Sequence, residues 1–446
     1  MFRFFENQGL KRTLIKSYKI QSSRIFDLSN LRSFLRDGFI YTSLSLANKV
    51  IPFLLLPILI RLVSPEEYGR YSLFVTLETL LLPIISLNMY AALSKHYYIE
   101  GIDLKSYISS MAIISMIFLL GFLLLSFTLP SSLINLSGLP RSLFLLAIIN
   151  TGMMGIVHIL SSLYRLERQP INYGIYVILQ SLLLFGFIIL FGMIGRSSQM
   201  IINGRVFYML LICLITLFIL RYKNLLALIY DKSWIKRIII FSLPTVLYSL
   251  SAFIFSASDR FFIQYYLGIK HVGFYSAIYQ LSAVISIAGA AFNAAWLPWL
   301  FENLKKNDDD IRLFIVKLSY VLIFGFIMLA SLFCLFFPII ANVILTNDFL
   351  PYLTISYPII FSFAFQGIYF IISPYIFYAE KTKYNAIIGI LVALINILLN
   401  TTLIPYLGLK GAAYSSLITW MSLATMFFYY SNRVYPMPWF FMLKKT

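Results

Sequence analysis

The sequence predicts an all-α membrane protein of about twelve transmembrane helices, divided into two sets of six. Three observations carry this. The chain is 60% hydrophobic, with a mean hydropathy of +0.86. Only 12% of its residues are charged, against about 25% in a soluble domain. Apolar runs long enough to cross a bilayer as helices recur along its length, and most of its 35 Lys and Arg gather in alternate loops.

Taken in order, the predicted spans are 39–60, 70–94, 107–129, 141–164, 173–194, 199–221, 238–258, 272–294, 315–338, 352–379, 384–404 and 411–433. The runs are too long for barrel strands and do not alternate polar with apolar. The first begins near Phe39, too far in for an ordinary signal peptide, so insertion by the chain's own helices is expected. With both termini on one side, that side holds 25 Lys and Arg and the other holds 8; Lys49 and Lys317 lie within or beside spans. The positive-inside rule makes the richer side the cytoplasm.

The net charge of +18 therefore reads as membrane topology. It does not call for nucleic acid as a partner, and no nucleic-acid motif accompanies it. Cys213 and Cys334 each stand alone in an apolar run, so neither a disulfide nor a metal site is expected. No cofactor motif is present, and no GxxxxGK[ST] loop for a nucleotide.

Segment 1–38 is a basic tail in which Leu28, Leu31 and Leu35 share a helical face. It suits an interfacial amphipathic helix and a plain basic tail equally well. The longest basic internal loop, 222–237 with Arg221 at its edge, separates an N-terminal six-helix bundle (39–221) from a C-terminal one (238–433), and a short tail (434–446) follows. The halves carry traces of a repeat. Glu67-Tyr68-Gly69-Arg70-Tyr71-Ser72 aligns with His271-Val272-Gly273-Phe274-Tyr275-Ser276, each with Gly-x-Tyr-Ser at the start of an even-numbered span. Residues 406–410 similarly resemble residues 266–270. Such parallel halves would be related by an axis along the membrane normal.

These residues also carry a family resemblance. Residues 57–72 (PILIRLVSPEEYGRYS) look like the first hairpin of polysaccharide-export flippases. Residues 258–263 (SDRFFI) and 272–277 (VGFYSA) resemble their seventh-to-eighth connection, and 291–298 (AFNAAWLP) the end of their eighth span. Lys381-Thr382, Asn396, Asn400, Ile404-Pro405 and Gly411-Ala412-Ala413 resemble their last two spans. The matches run in order from about residue 47 to 430, and the long N-terminal tail departs from the pattern. The family's superfamily also holds multidrug-extrusion transporters and peptidoglycan-precursor flippases. The resemblance implies two bundles around a central cavity, alternating access, and location in a bacterial cytoplasmic membrane. It implies a polyprenyl-diphosphate-linked oligosaccharide as substrate, such as an O-antigen or capsule repeat unit. Membrane lipids, a polysaccharide polymerase and assembly proteins are the implied partners.

Moving a diphosphate and sugars through hydrocarbon requires cations and hydrogen-bonding groups in a wet cavity, so charges inside spans are the first candidates. Lys49, midway along the first span with Asn48 beside it, suits a phosphate; it also suits pairing with Glu78. Glu78 is a candidate for cation coupling or for a structural ion pair. His158 suits phosphate attraction or proton coupling, although a lone histidine more often serves packing. Arg61, Arg205 and Arg260, near the outer ends of spans one, six and seven, suggest an exit-side cationic rim or interfacial anchors. Asp259 is the second coupling candidate. Asn396 and Asn400 share a face of span eleven, where they would bind sugars or join helices. Pro52, Pro57, Pro83, Pro244 and Pro374 fall inside spans and would bend them.

Two other classes compete. A membrane polysaccharide polymerase would need catalytic acids or a large outer loop, and the outer loops here are short. A cation-coupled multidrug antiporter of the same superfamily would favour acidic sites, whereas the intramembrane candidates here are mostly basic. An enzyme is accordingly not expected.

Overall fold

The computed structural model describes residues 51, 53–99, 103–227, 231–306, 308–381 and 383–440. Lys49, Asn48, Pro52, the basic tail and most of the first predicted span lie outside these residues. Every regular element among the described residues is helical.

The first helices are α1 (Phe53–Leu62), α2 (Pro65–Ile85), α3 (Met89–His96), α4 (Leu104–Thr128), α5 (Ser131–Asn135), α6 (Arg141–Leu166), α7 (Pro170–Gly195) and α8 (Ser198–Tyr222). There follow α9 (Lys232–Ala257), α10 (Asp259–Leu267), α11 (Ile269–Ser282), α12 (Val284–Leu304) and α13 (Asp309–Ile344). A 3-10 turn (Asn347–Ile355) leads into α14 (Ser356–Ile372), α15 (Pro374–Tyr378), α16 (Lys383–Leu407) and α17 (Leu409–Val434).

Among the described residues nine helical segments are long and apolar enough to cross a membrane, and ten if the bent pair α2–α3 is one span. The chain is thus a multi-pass membrane protein. Of the remaining predicted spans, the first is described only from residue 51 onward. The twelfth is α17, 26 residues long, whose Ser415, Ser416 and Thr419 are buried against neighbouring helices.

Helix starts follow local chemistry. Ser64 accepts from the Glu67 amide with Pro65 at the first turn, and Asp103, Ser197, Asp231 and Asp308 cap α4, α8, α9 and α13 in the same way. Several predicted spans prove broken or longer. The second bends by 44° between α2 and α3, where Leu87 and Asn88 both take a φ of +48° just after Pro83. The eighth begins at Ile269, restarts after Ala283 and runs on to Leu304. The ninth extends over 36 residues.

The decisive packing is between α2 and α11, the helices that carry the two Gly-x-Tyr-Ser motifs. A methyl group on Gly69 would collide with the Ile269 carbonyl oxygen, and one on Gly273 with that of Pro65. The contact is reciprocal, as a two-fold relation between the helices requires. Without a Cβ at either position the backbones approach closely, the usual device for helix association in lipid.

Candidate functional site

Along α2 and α11, past this close contact, lies an open cavity of about 440 Å³. Ser72, Thr76 and Thr79 of α2 line one wall. Ser276, Tyr279 and Gln280 of α11 line the other, with Ala283, Ser286 and Ile287 beyond. The break at Ala283 therefore lies in the cavity wall. Phe53 of α1 and Ala257 and Arg260 of the α9–α10 junction complete the lining. The two walls are tied across the entrance to the contact. Ser72 Oγ donates to Ser276 Oγ at 2.7 Å, and the Tyr68 hydroxyl donates to Gln280 Oε1 at 3.0 Å.

Arg260 is the charged residue in the lining. Its Nη1 donates to Asp259 Oδ1 at 2.6 Å and to the Ser256 carbonyl at 3.2 Å. Its guanidinium lies over the Tyr279 ring at 4.0 Å and near that of Tyr275 at 5.5 Å. The second Asp259 oxygen accepts from the Tyr275 hydroxyl at 2.5 Å, and that hydroxyl lies 3.2 Å from Ser416 Oγ. Carboxylate and aromatic faces together hold the planar cation in one orientation at the cavity wall. A guanidinium so placed can meet an oxyanion.

Behind it lies a second polar layer. Ser258 donates to Asn396 Oδ1 at 3.3 Å, Asn400 Nδ2 donates to the same oxygen at 2.9 Å, and Asn396 Nδ2 reaches Thr419 at 3.0 Å. The predicted candidates Asp259, Arg260, Asn396 and Asn400 are thus brought into one region. The asparagines are buried and join α16 to the α9–α10 junction and α17, in keeping with the helix-joining alternative.

Glu78 and Arg205 form a separate site. Arg205 Nη2 and Nε lie 2.7 and 2.8 Å from Glu78 Oε2, and Asn150 donates to the other carboxylate oxygen. The Glu78 side chain is 1% exposed. The cation expected beside Glu78, Lys49, lies outside the described residues; the cation in contact with Glu78 is Arg205. Arg205 sits seven residues into α8, roughly 10 Å from its start, so it belongs to the interior of that helix.

The three arginines have three different partners. Arg205 meets Glu78, Arg260 meets Asp259, and Arg61 donates to the Val343 carbonyl at 3.1 Å in the last turn of α13. There Arg61 satisfies an orphan carbonyl of a helix C-terminus. His158 is half-buried on α6 and meets the edge of Tyr90 at 5.5 Å. The Tyr90 hydroxyl donates to Asn88, whose amide in turn donates to the Thr245 carbonyl and to Ser249 on α9.

Sequence reasoning missed Asn88, Asn150, Tyr275, Tyr279 and Gln280. Asn88 had a usable signal, being an asparagine between apolar stretches where αL backbone is tolerated. Tyr275 had one as the tyrosine of the second Gly-x-Tyr-Ser motif, whereas nothing sets Tyr279 apart from the other tyrosines among the chain's 31.

Comparison with known proteins gives three findings. Residues 34–304 match the family model described as "Polysaccharide biosynthesis protein". A Haemophilus influenzae protein named for the Lsg locus is 24% identical over 415 residues, covering 90% of this chain and 98% of that one. Two solved structures share the fold, each with a TM-score of 0.67 and each covering 89% of this chain. One is an inward-facing multidrug resistance MATE family transporter of the MOP superfamily, 15% identical and covered over 96% of its length. The other is the lipid II flippase MurJ in an inward closed conformation, 16% identical and covered over 87%.

Proposed function

This chain belongs to the polysaccharide biosynthesis protein family, and from that premise we propose that it is a flippase for a polyprenyl-diphosphate-linked oligosaccharide. It would carry an O-antigen, capsule or exopolysaccharide repeat unit from the inner to the outer leaflet of a bacterial cytoplasmic membrane, with both termini in the cytoplasm. The observation that carries the reading is the cavity closed at one end by the α2–α11 contact, whose mainly apolar wall carries Arg260 and several hydroxyl groups. A cation held by Asp259 and two tyrosines suits a diphosphate, and the hydroxyls and the Gln280 amide suit sugars. Alternating access then means opening the α2–α11 contact while the opposite end closes.

Lys49 and His158 remain candidates for additional phosphate contact, and Glu78 and Asp259 for cation coupling. A multidrug antiporter would want an available carboxylate in the cavity; here, among the described residues, the lining holds no carboxylate, and Asp259, next to the lining residue Arg260, is engaged by Arg260 and Tyr275. The test is a deletion strain analysed for lipid-linked repeat units. Accumulation on the cytoplasmic side, relieved by the wild-type gene, is the expected result. Drug sensitivity without accumulation would replace the flippase with the antiporter.

A further inference from the structure

Away from the central cavity, α4 and α8 both pack on α6 and leave a groove of about 710 Å³ between them. Its walls are apolar: Ile113 and Met116 of α4, Gly152 and Ile156 of α6, and Leu210 and Leu214 of α8. Met116 and Leu214 are more than half exposed, so the groove opens sideways into the membrane. Its lining on α8 runs from Leu210 to Arg221, about 16 Å at helical rise, or roughly half of a 30 Å hydrocarbon core. That is the reach of a chain from one leaflet.

One end is polar and closed. The Ala227 amide donates to Ser109 Oγ at 2.9 Å, and Arg221 Nη1 donates to the Leu226 carbonyl at 3.3 Å. The rest of the exposed Arg221 side chain stands at the groove mouth. Lys105 adds a second cation there, its ammonium 3.1 Å from the neutral Asn224 side chain. An apolar slot of one-leaflet length ending in Arg221, with Lys105 near the same end, matches one kind of molecule.

We propose that the α4–α8 groove binds a single anionic phospholipid, with an acyl chain along the groove and the phosphate on Arg221. This stands apart from the transport reading, because the groove shares no lining residue with the central cavity. The test uses the full chain in mild detergent and native mass spectrometry, with phosphatidylglycerol and phosphatidylethanolamine carrying the same acyl chains. The wild type should retain one phosphatidylglycerol and prefer it by about tenfold, because both headgroups carry the phosphate but phosphatidylethanolamine brings its ammonium against the basic side chains. Arg221→Ala with Lys105→Ala should abolish the preference. Leu214→Trp should block retention with all charges intact, and Met116→Trp, at another lipid-facing position, repeats that test if Leu214→Trp fails to fold. Equal retention of both lipids, or wild-type retention in the tryptophan variants, would overturn the site.

Discussion

The hydroxyls of Ser72 and Ser276 lie 2.7 Å apart, although 204 residues separate them in the chain. They are the last residues of the two Gly-x-Tyr-Ser motifs. The same offset relates Gly69 to Gly273 and Pro65 to Ile269, whose backbones meet reciprocally one turn earlier. The repeated motif is therefore its own partner: two copies of one helical surface close on each other. The serine pair itself lines the cavity, which continues along both helices to Thr79 and Ile287.

If this contact must open for transport, tying it shut must stop export. Ser72→Cys with Ser276→Cys, in a background where Cys213 and Cys334 are serine, should crosslink on mild oxidation. Side-chain oxygens this close are compatible with a disulfide between the replacement thiols. Export of surface glycan should fall to background in the oxidised protein and return with reductant. Full export from quantitatively crosslinked protein would show that the contact is static.

Bulk at the close approach should cost stability. Gly69→Leu or Gly273→Leu forces the backbones apart and should destabilise by about 1–3 kcal/mol or more, as overpacking does. Gly325→Ala is the control, since its added methyl meets nothing within 4 Å. A helical Gly→Ala change in open space should leave stability unchanged or raise it by up to about 1 kcal/mol. Thermal melting in detergent reads both, and equal melting for Gly273→Leu and wild type would refute the packing.

How much of this was legible beforehand depends on which interaction is asked about. Hydropathy marks spans because each buries its own backbone bonds, so α4, α6, α7 and α8 begin and end within a few residues of expectation. The break at Ala283 was invisible because the apolar run continues through it, whereas the break at Asn88 was marked only by that single asparagine. Glu78 was recognisable as an intramembrane charge, but its partner was not: Arg205 is 127 residues away, and only the packing of α2 against α8 brings them together. The Gly-x-Tyr-Ser repeat pointed to duplication, yet similarity alone could not say that the copies touch.

The Glu78–Arg205 pair should behave as a buried unit. Removing one partner strands the other charge, so Glu78→Gln or Arg205→Met alone should destabilise by about 3–5 kcal/mol. The double variant should be less affected than the two singles combined, because no uncompensated charge is left. A thermal or denaturant double-mutant cycle measures this coupling. Strictly additive losses would mean that the two groups do not depend on each other.

Lys49 enters on its position in the sequence, midway along the first predicted span. An intramembrane lysine in a flippase cavity should contact phosphate. Lys49→Ala should sharply reduce surface glycan export while protein levels stay normal. Wild-type export in that variant would remove it from the phosphate role.

Arg260 tests the cavity itself. Deleting it alone would strand Asp259, so the informative variants preserve charge balance. Arg260→Lys keeps the cation but loses the planar fork over Tyr279, and its export should fall on the order of tenfold at normal protein levels. Arg260→Met with Asp259→Asn removes both charges; it should insert and melt near wild type but accumulate lipid-linked repeat units without export. The Tyr275 hydroxyl, now donating to Asp259, keeps an acceptor in the asparagine carbonyl. Wild-type export from the doubly neutral protein would show that the guanidinium holds the fold together and does not meet the transported phosphate.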